Sequence, residues 1–136
     1  MKESTLQLVG RPEITKLNFE KNLEFEFPEN IGLVLKNNVK IMKNEEPDSR
    51  EAMVQLTLNV YNDDDLDQSE IPFQLSVEIQ GFFHWADGLD EETCESLLRI
   101  NGSAILYSYL RPVITSVTVE ANLPPLVIPL MNFTQD

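Results

Sequence analysis

Two stretches of this chain alternate apolar and polar residues without a break. In residues 53–61, Val54, Leu56, Leu58 and Val60 fall on one side and Gln55, Thr57 and Asn59 on the other. Residues 71–79 repeat the pattern, with Ile71, Phe73, Leu75, Val77 and Ile79 against Gln74, Ser76 and Glu78. Successive strand side chains point to opposite faces, so this period requires an antiparallel sheet packed on one side and wetted on the other. The link 62–69 is polar and acidic, which joins the pair as a hairpin with a long loop. Less regular segments at 14–27, with Leu17, Phe19, Leu23, Phe25 and Phe27, and at 31–42, with Leu33, Leu35, Val39 and Ile41, bring the expected total to about four strands. Gln80-Gly81 reads as a bend or bulge before Phe82-Phe83.

A helix is expected after the sheet. Asp90 suits its N-cap, and Glu91 and Glu92 sit in the first turn, where the helix dipole favours negative charge. Leu89 and Cys94 have the spacing of a hydrophobic staple, Leu97 and Leu98 continue the apolar face, and Asn101-Gly102 reads as the helix end. A second helix is expected over 103–120. Its Ile and Val content suits a strand equally well, and Pro112 interrupts it, so the segment taken alone stays ambiguous. Residues 122–129, with Pro124, Pro125 and Pro129, read as an extended tail. Strands followed by helices make an α+β domain: a four-stranded antiparallel sheet with two helices on one face.

The 136 residues fit one domain. The formal net charge is −13, which argues against nucleic acid as a partner. Yet from Ala104 to Phe133 only Arg111 and Glu120 are charged. So much apolar surface at one end has to be buried in the core, shared with another subunit or kept for binding something apolar. The first residues lack the apolar core of a signal peptide, and no apolar run approaches the ~20 residues that span a bilayer, so a cytoplasmic protein without membrane insertion is expected. Cys94 is the lone cysteine, which leaves no internal disulfide.

Leu106-Tyr107-Ser108-Tyr109-Leu110-Arg111, then Ile114, then Leu123-Pro124-Pro125-Leu126-Val127-Ile128, then Asn132-Phe133, resembles the C-terminal signature of the SecB family of protein-export chaperones. Upstream, Ile79-Gln80-Gly81-Phe82-Phe83 and Leu17-Asn18-Phe19-Glu20 resemble the family's strand motifs. The resemblance spans most of the chain, and its last third is the specific part. It implies an ATP-independent holdase that binds unfolded or precursor polypeptides in apolar grooves, assembles as a homotetramer built as a dimer of dimers, and needs no cofactor. It implies a client groove drawing on Leu35 and Phe73 from strands, Tyr107 and Tyr109 from the helix, and Leu126, Ile128 and Phe133 from the tail. Each of these also reads as plain core. Glu20 and Glu78 would dock a basic partner such as the SecA translocase, or simply sit on a wet sheet face. Departures are Ser108 and Pro112 where the family places its helix proline, Pro129 displaced from before Asn-Phe, and Lys16 at one acidic docking position. The family also contains SecB-like members dedicated to one client, including those attached to toxin–antitoxin pairs, so a single-partner adaptor is the alternative.

Catalysis finds no support in the motifs. His84 stands alone beside Trp85, and no nucleophile elbow or phosphate-binding glycine loop is present. Asp63, Asp64, Asp65 and Asp67 lack the glycine and glutamate spacing of a calcium loop and read as a hairpin tip.

Overall fold

The computed structural model describes residues 6–26 and 32–134. Its strands are β1 (Leu6–Lys21), β2 (Leu35–Lys43), β3 (Glu51–Val60) and β4 (Phe73–Trp85). They form one antiparallel sheet in the order β1-β4-β3-β2. The two strictly alternating strands, β3 and β4, lie side by side at its centre, and their inward side chains, from Val54 to Val60 and from Phe73 to Phe83, are buried. Outward positions on the same strands are half-buried or exposed. The hairpin between them is as expected. It closes through a 3-10 turn, Gln68–Glu70, whose N-cap Asp67 accepts from the Ser69 backbone N–H.

Both outer strands are displaced from their sequence-based bounds. β1 begins at Leu6, well before residue 14, and ends at Lys21. Leu23 is exposed beyond its end, and Phe27 and Ile31 lie outside the described residues. Two irregularities in pairing, between Val9 and Glu13 and between Ile14 and Lys16, hid the first half of this strand from a period-two reading, while residues 14–21 bear out the expected strand. They re-phase the chain so that Leu8, Ile14, Leu17 and Phe19 all face the core side of the sheet.

β4 stays in register with β3 through Gly81, and the irregularity expected at Gln80-Gly81 falls on the opposite strand, where β1 shifts register between Val9 and Glu13. A Cβ on Gly81 would stand 2.9 Å from Leu106 Cδ2 and 3.0 Å from Leu8 Cδ1. The glycine permits close approach of the helix layer.

That layer is one joined helix, which corrects the expectation of two. Segment α1 (Glu91–Leu97) passes through a π-helical turn, Leu98–Gly102, directly into α2 (Ser103–Glu120). Asn101-Gly102 does not end it, because Gly102 keeps helical dihedrals. The sequence explains the wide turn. Buried positions step by four from Cys94 through Leu98, Gly102, Leu106, Leu110, Ile114 and Thr118, whereas an α-helix turns every 3.6 residues. The π turn absorbs the drift and keeps one face on the sheet. Gly102 again allows contact, since a Cβ there would sit 3.3 Å from Val54 Cγ2. Asp90 is the N-cap by dihedrals, but its side chain makes no capping hydrogen bond. The helix stops at Asn122, which takes a left-handed φ of 59°. The Leu123 N–H then bonds back to Thr118 O at 3.0 Å, a C-capping turn.

Gly81→Ala is expected to destabilise the fold by about 1–3 kcal/mol through overpacking against the fully buried Leu106. A denaturant midpoint unchanged from the parent would show that the helix has slack over β4.

Candidate functional site: two flanks of the helix layer

The joined helix lies over the middle of the sheet and leaves a flank on each side. The chain's own tail fills the flank towards β2. Tyr107, Arg111, Thr115 and Thr118 recur every three or four residues and so share one stripe of α2. Each reaches the tail's main chain. The Leu126 N–H donates to Thr118 Oγ1 at 3.0 Å, and Thr115 Oγ1 donates to Leu126 O at 2.7 Å. Arg111 Nε donates to Ile128 O at 3.1 Å, and the Tyr107 hydroxyl donates to Pro129 O. The prolines leave carbonyls without matching N–H groups, and the helix stripe supplies the donors. Thr118 is fully buried and also donates to Thr115 O at 2.8 Å. Burial raises the Tyr107 hydroxyl above its ordinary pKa, while nearby Arg111 pulls the other way. The phenol is therefore a proton donor at any physiological pH.

Held this way, the tail turns one side in and the other out. Ile128 is fully buried and Leu123 nearly so. Val127 and Leu130 point away, 68% and 83% exposed. Phe133 meets Tyr107 edge to face, with centroids 5.7 Å apart. Asn37 of β2 donates to the Met131 sulfur at 3.1 Å, which ties the tail's end to the edge strand.

The flank towards β1 is open. Phe19 on β1 and Pro112, Val113, Val117 and Ala121 along the helix layer border a trough of about 610 Å³. Ile14 and Leu17 continue it along β1, 41% and 40% exposed on the strand's core side. Pro112 breaks no turn of the helix and instead presents its ring here.

The expected groove residues divide by burial. Phe73, Tyr107 and Ile128 are sealed in the core; Leu35, Leu126 and Phe133 are half-buried at the β2 flank; Tyr109 is exposed on the helix. Sequence reading missed Val127 and Leu130, for which the unbroken apolar run 126–131 carries no signal, and it missed Val113 and Val117, four apart on α2. Glu20 and Glu78 lie on the outer sheet face, on β1 and β4. Lys16 pairs directly across from Glu78, and Thr15 Oγ1 donates to the Glu78 carboxylate at 2.7 Å. Among the described residues no group of three or more His, Cys, Asp or Glu side chains could hold a metal ion, and no helix is long and apolar enough to cross a membrane.

A family model described as preprotein translocase subunit SecB matches residues 14–135. The uncharacterized protein MJ0357 of Methanocaldococcus jannaschii is 29% identical over 120 residues, covering 82% of this chain and 74% of that protein. Among solved structures, the Mycobacterium tuberculosis Rv1957 SecB-like chaperone, in complex with a ChAD peptide from the Rv1956 HigA1 antitoxin, is similar with a TM-score of 0.72. It is 15% identical and covers 94% of this chain and 91% of its own. A protein of unknown function from Streptococcus agalactiae gives a TM-score of 0.51 at 13% identity, covering 93% of this chain and 99% of that one. At these identities the two structures share the fold.

Thr118→Val is expected to cost about 1–3 kcal/mol by stranding the Leu126 N–H. Amide exchange at Leu126 should then be faster than in the parent, and unchanged exchange would mean the tail is held by packing alone.

Proposed function

The chain belongs to the SecB family, and on that premise we propose that it is an ATP-independent holdase that binds unfolded or precursor polypeptides along apolar surface. One observation carries this reading: apolar residues remain uncovered on both flanks of the helix, each beside an edge strand of the sheet. An edge strand offers main-chain hydrogen bonds to any extended segment, and neighbouring apolar residues add affinity with little sequence preference.

The two flanks have different uses. The β2 flank holds the client. An extended segment adds along β2 and rests on Leu35, Leu126 and Phe133, with Val127 and Leu130 reaching out to it; Tyr109, one turn before Val113 on α2, lies on the stripe towards the β1 flank. Tyr107 and Ile128 support this wall from behind, whereas Phe73 packs on Phe19 towards β1. The β1 flank serves assembly. Its trough and edge strand take a second copy, the first step towards a homotetramer built as a dimer of dimers. Burial there removes Ile14, Leu17 and Phe19 from water. The acidic surface draws basic client segments inward and speeds encounter.

The setting is cytoplasmic protein export, with Glu20 and Glu78 as the docking pair for SecA. A second reading is a dedicated adaptor for one partner, such as an antitoxin. It is favoured by the antitoxin peptide bound to the Rv1957 chaperone and by Lys16, which faces Glu78 and offsets its charge. A single stoichiometric partner on pull-down supports the adaptor, and many unfolded chains support the general holdase.

Stoichiometric protein without nucleotide is expected to slow refolding of a destabilised model client; unaltered kinetics would count against both readings. Val127→Ser with Leu130→Ser should weaken client binding about tenfold, the effect of removing one good apolar anchor, with thermal unfolding unchanged. Equal affinity would move the client surface elsewhere. Phe19→Asp should lower the mass seen by light scattering, and an intact oligomer would remove the β1 flank from assembly.

A further inference from the structure

The outer face of the sheet carries an apolar row that neither the core nor the two flanks use. Val9, Phe82, Met53 and Met42 are register partners on β1, β4, β3 and β2 in turn. Their chain neighbours Leu8, Phe83, Ala52 and Ile41 pack into the core. The row itself faces away, with Val9 46%, Phe82 52% and Met42 47% exposed and Met53 half-buried. The rows on either side are polar: Gln7, His84 and Glu51 towards the sheet end, and Glu13, Gln80, Gln55 and Lys40 beyond. Single exposed apolar residues are ordinary. A continuous line crossing every strand of a wet face marks an interaction site.

We propose that this row docks an amphipathic helix with a basic polar face, carried by a protein partner. Shape supports a helix. The row steps from strand to strand by about 4.8 Å and spans about 14 Å. A helix repeats its apolar stripe every 5.4 Å turn, so about three turns laid across the strands set roughly one side chain on each. An extended segment spaces same-face side chains about 6.6 Å apart and does not match. Phe82 supplies a rigid anchor, and Met42 and Met53 adapt to an irregular partner surface.

Charge sets the other half of the partner. The β2–β3 turn starts next to the row, where the Asn44 N–H bonds to Glu51 O at 3.3 Å. It brings Glu45, Glu46 and Asp48 beside Glu51, and Asp87 follows β4. Two of the cations nearby are engaged within the chain, and the other two, Arg11 and Lys40, are outnumbered by Glu13, Glu45, Glu46, Asp48 and Glu51. Lys43 stands 3.8 Å from Glu91 and 3.7 Å from Glu95, and Arg50 stands 3.8 Å from Asp87. The excess is acidic, which complements lysines or arginines flanking an apolar stripe. The row lies towards the opposite end of the strands from Glu20 and Glu78, and it does not depend on the holdase reading.

The test uses the full chain and labelled model peptides of about 18 residues. One is a leucine–lysine sequence with helical spacing; the second replaces its lysines with glutamate; the third keeps the first's lysines but has prolines in place of some leucines so that it stays extended. The lysine helix should bind, less tightly in high salt, and Phe82→Glu should weaken it about tenfold or more. The extended peptide should bind the parent and Phe82→Glu alike, and Phe82→Glu should still slow client refolding. Met42→Gln with Met53→Gln gives the same reading if Phe82→Glu unfolds. The proposal is overturned if the lysine helix does not bind, if the glutamate helix binds as well, or if the row variants leave affinity unchanged. Equal losses for helix and extended peptide would make the row a client surface, and a fall in oligomer mass would make it a contact between copies; either result overturns it too.

Discussion

One helix is too narrow to cover four strands. The sheet is about 14 Å from edge to edge, and an α-helix with its side chains is about 10–12 Å across. The joined helix therefore seals β3 and β4, whose inward residues are almost wholly removed from water, and leaves both margins short of cover. The tail solves the problem at β2, where donors on one helical stripe satisfy its carbonyls. At β1 the described residues supply no equivalent, and Phe19, Leu17 and Ile14 stay partly in water. The surfaces proposed for client and second copy are the two margins of a single coverage deficit.

The central hairpin was legible because β3 and β4 alternate strictly and are packed on one face. The edge strands were harder to read. β1 carries two pairing irregularities that break its period, and β2 faces water on most positions. Asn101-Gly102 suggested a helix end on local preference, yet the four-residue step of buried positions required a π turn, and packing against Val54 and Phe83 overrode the glycine. Gly81 marked an irregularity that falls on β1 across from it, and its second role was hidden because Leu106, which needs the missing side chain, lies far away in sequence. Of the candidate groove, the tail segment was found by resemblance, but which of its residues face out depended on hydrogen bonds from Thr115 and Thr118 that no spacing rule announces. The outer row was illegible for a simple reason. Its members stand far apart along the chain and meet only through strand register.

The acidic composition fits this arrangement. A chain that exposes apolar margins and an apolar row risks self-association beyond its intended contacts, and a net charge of −13 opposes that through repulsion. The same field selects basic partners. Lys36 and Asp63 show charge used locally as well: their ion pair raises the lysine and lowers the aspartate from their ordinary pKa values, and it pins the β3–β4 loop to β2 at the surface.

Hydrogen exchange of the full chain, with and without an unfolded client, tests most directly whether the β2 margin holds polypeptide. Added main-chain bonds should slow exchange along residues 35–43 and in the tail from 123 to 133, with β3 and β4 unchanged because they are already covered. Exchange unaltered at both β2 and the tail, while the client is demonstrably bound, would contradict the account.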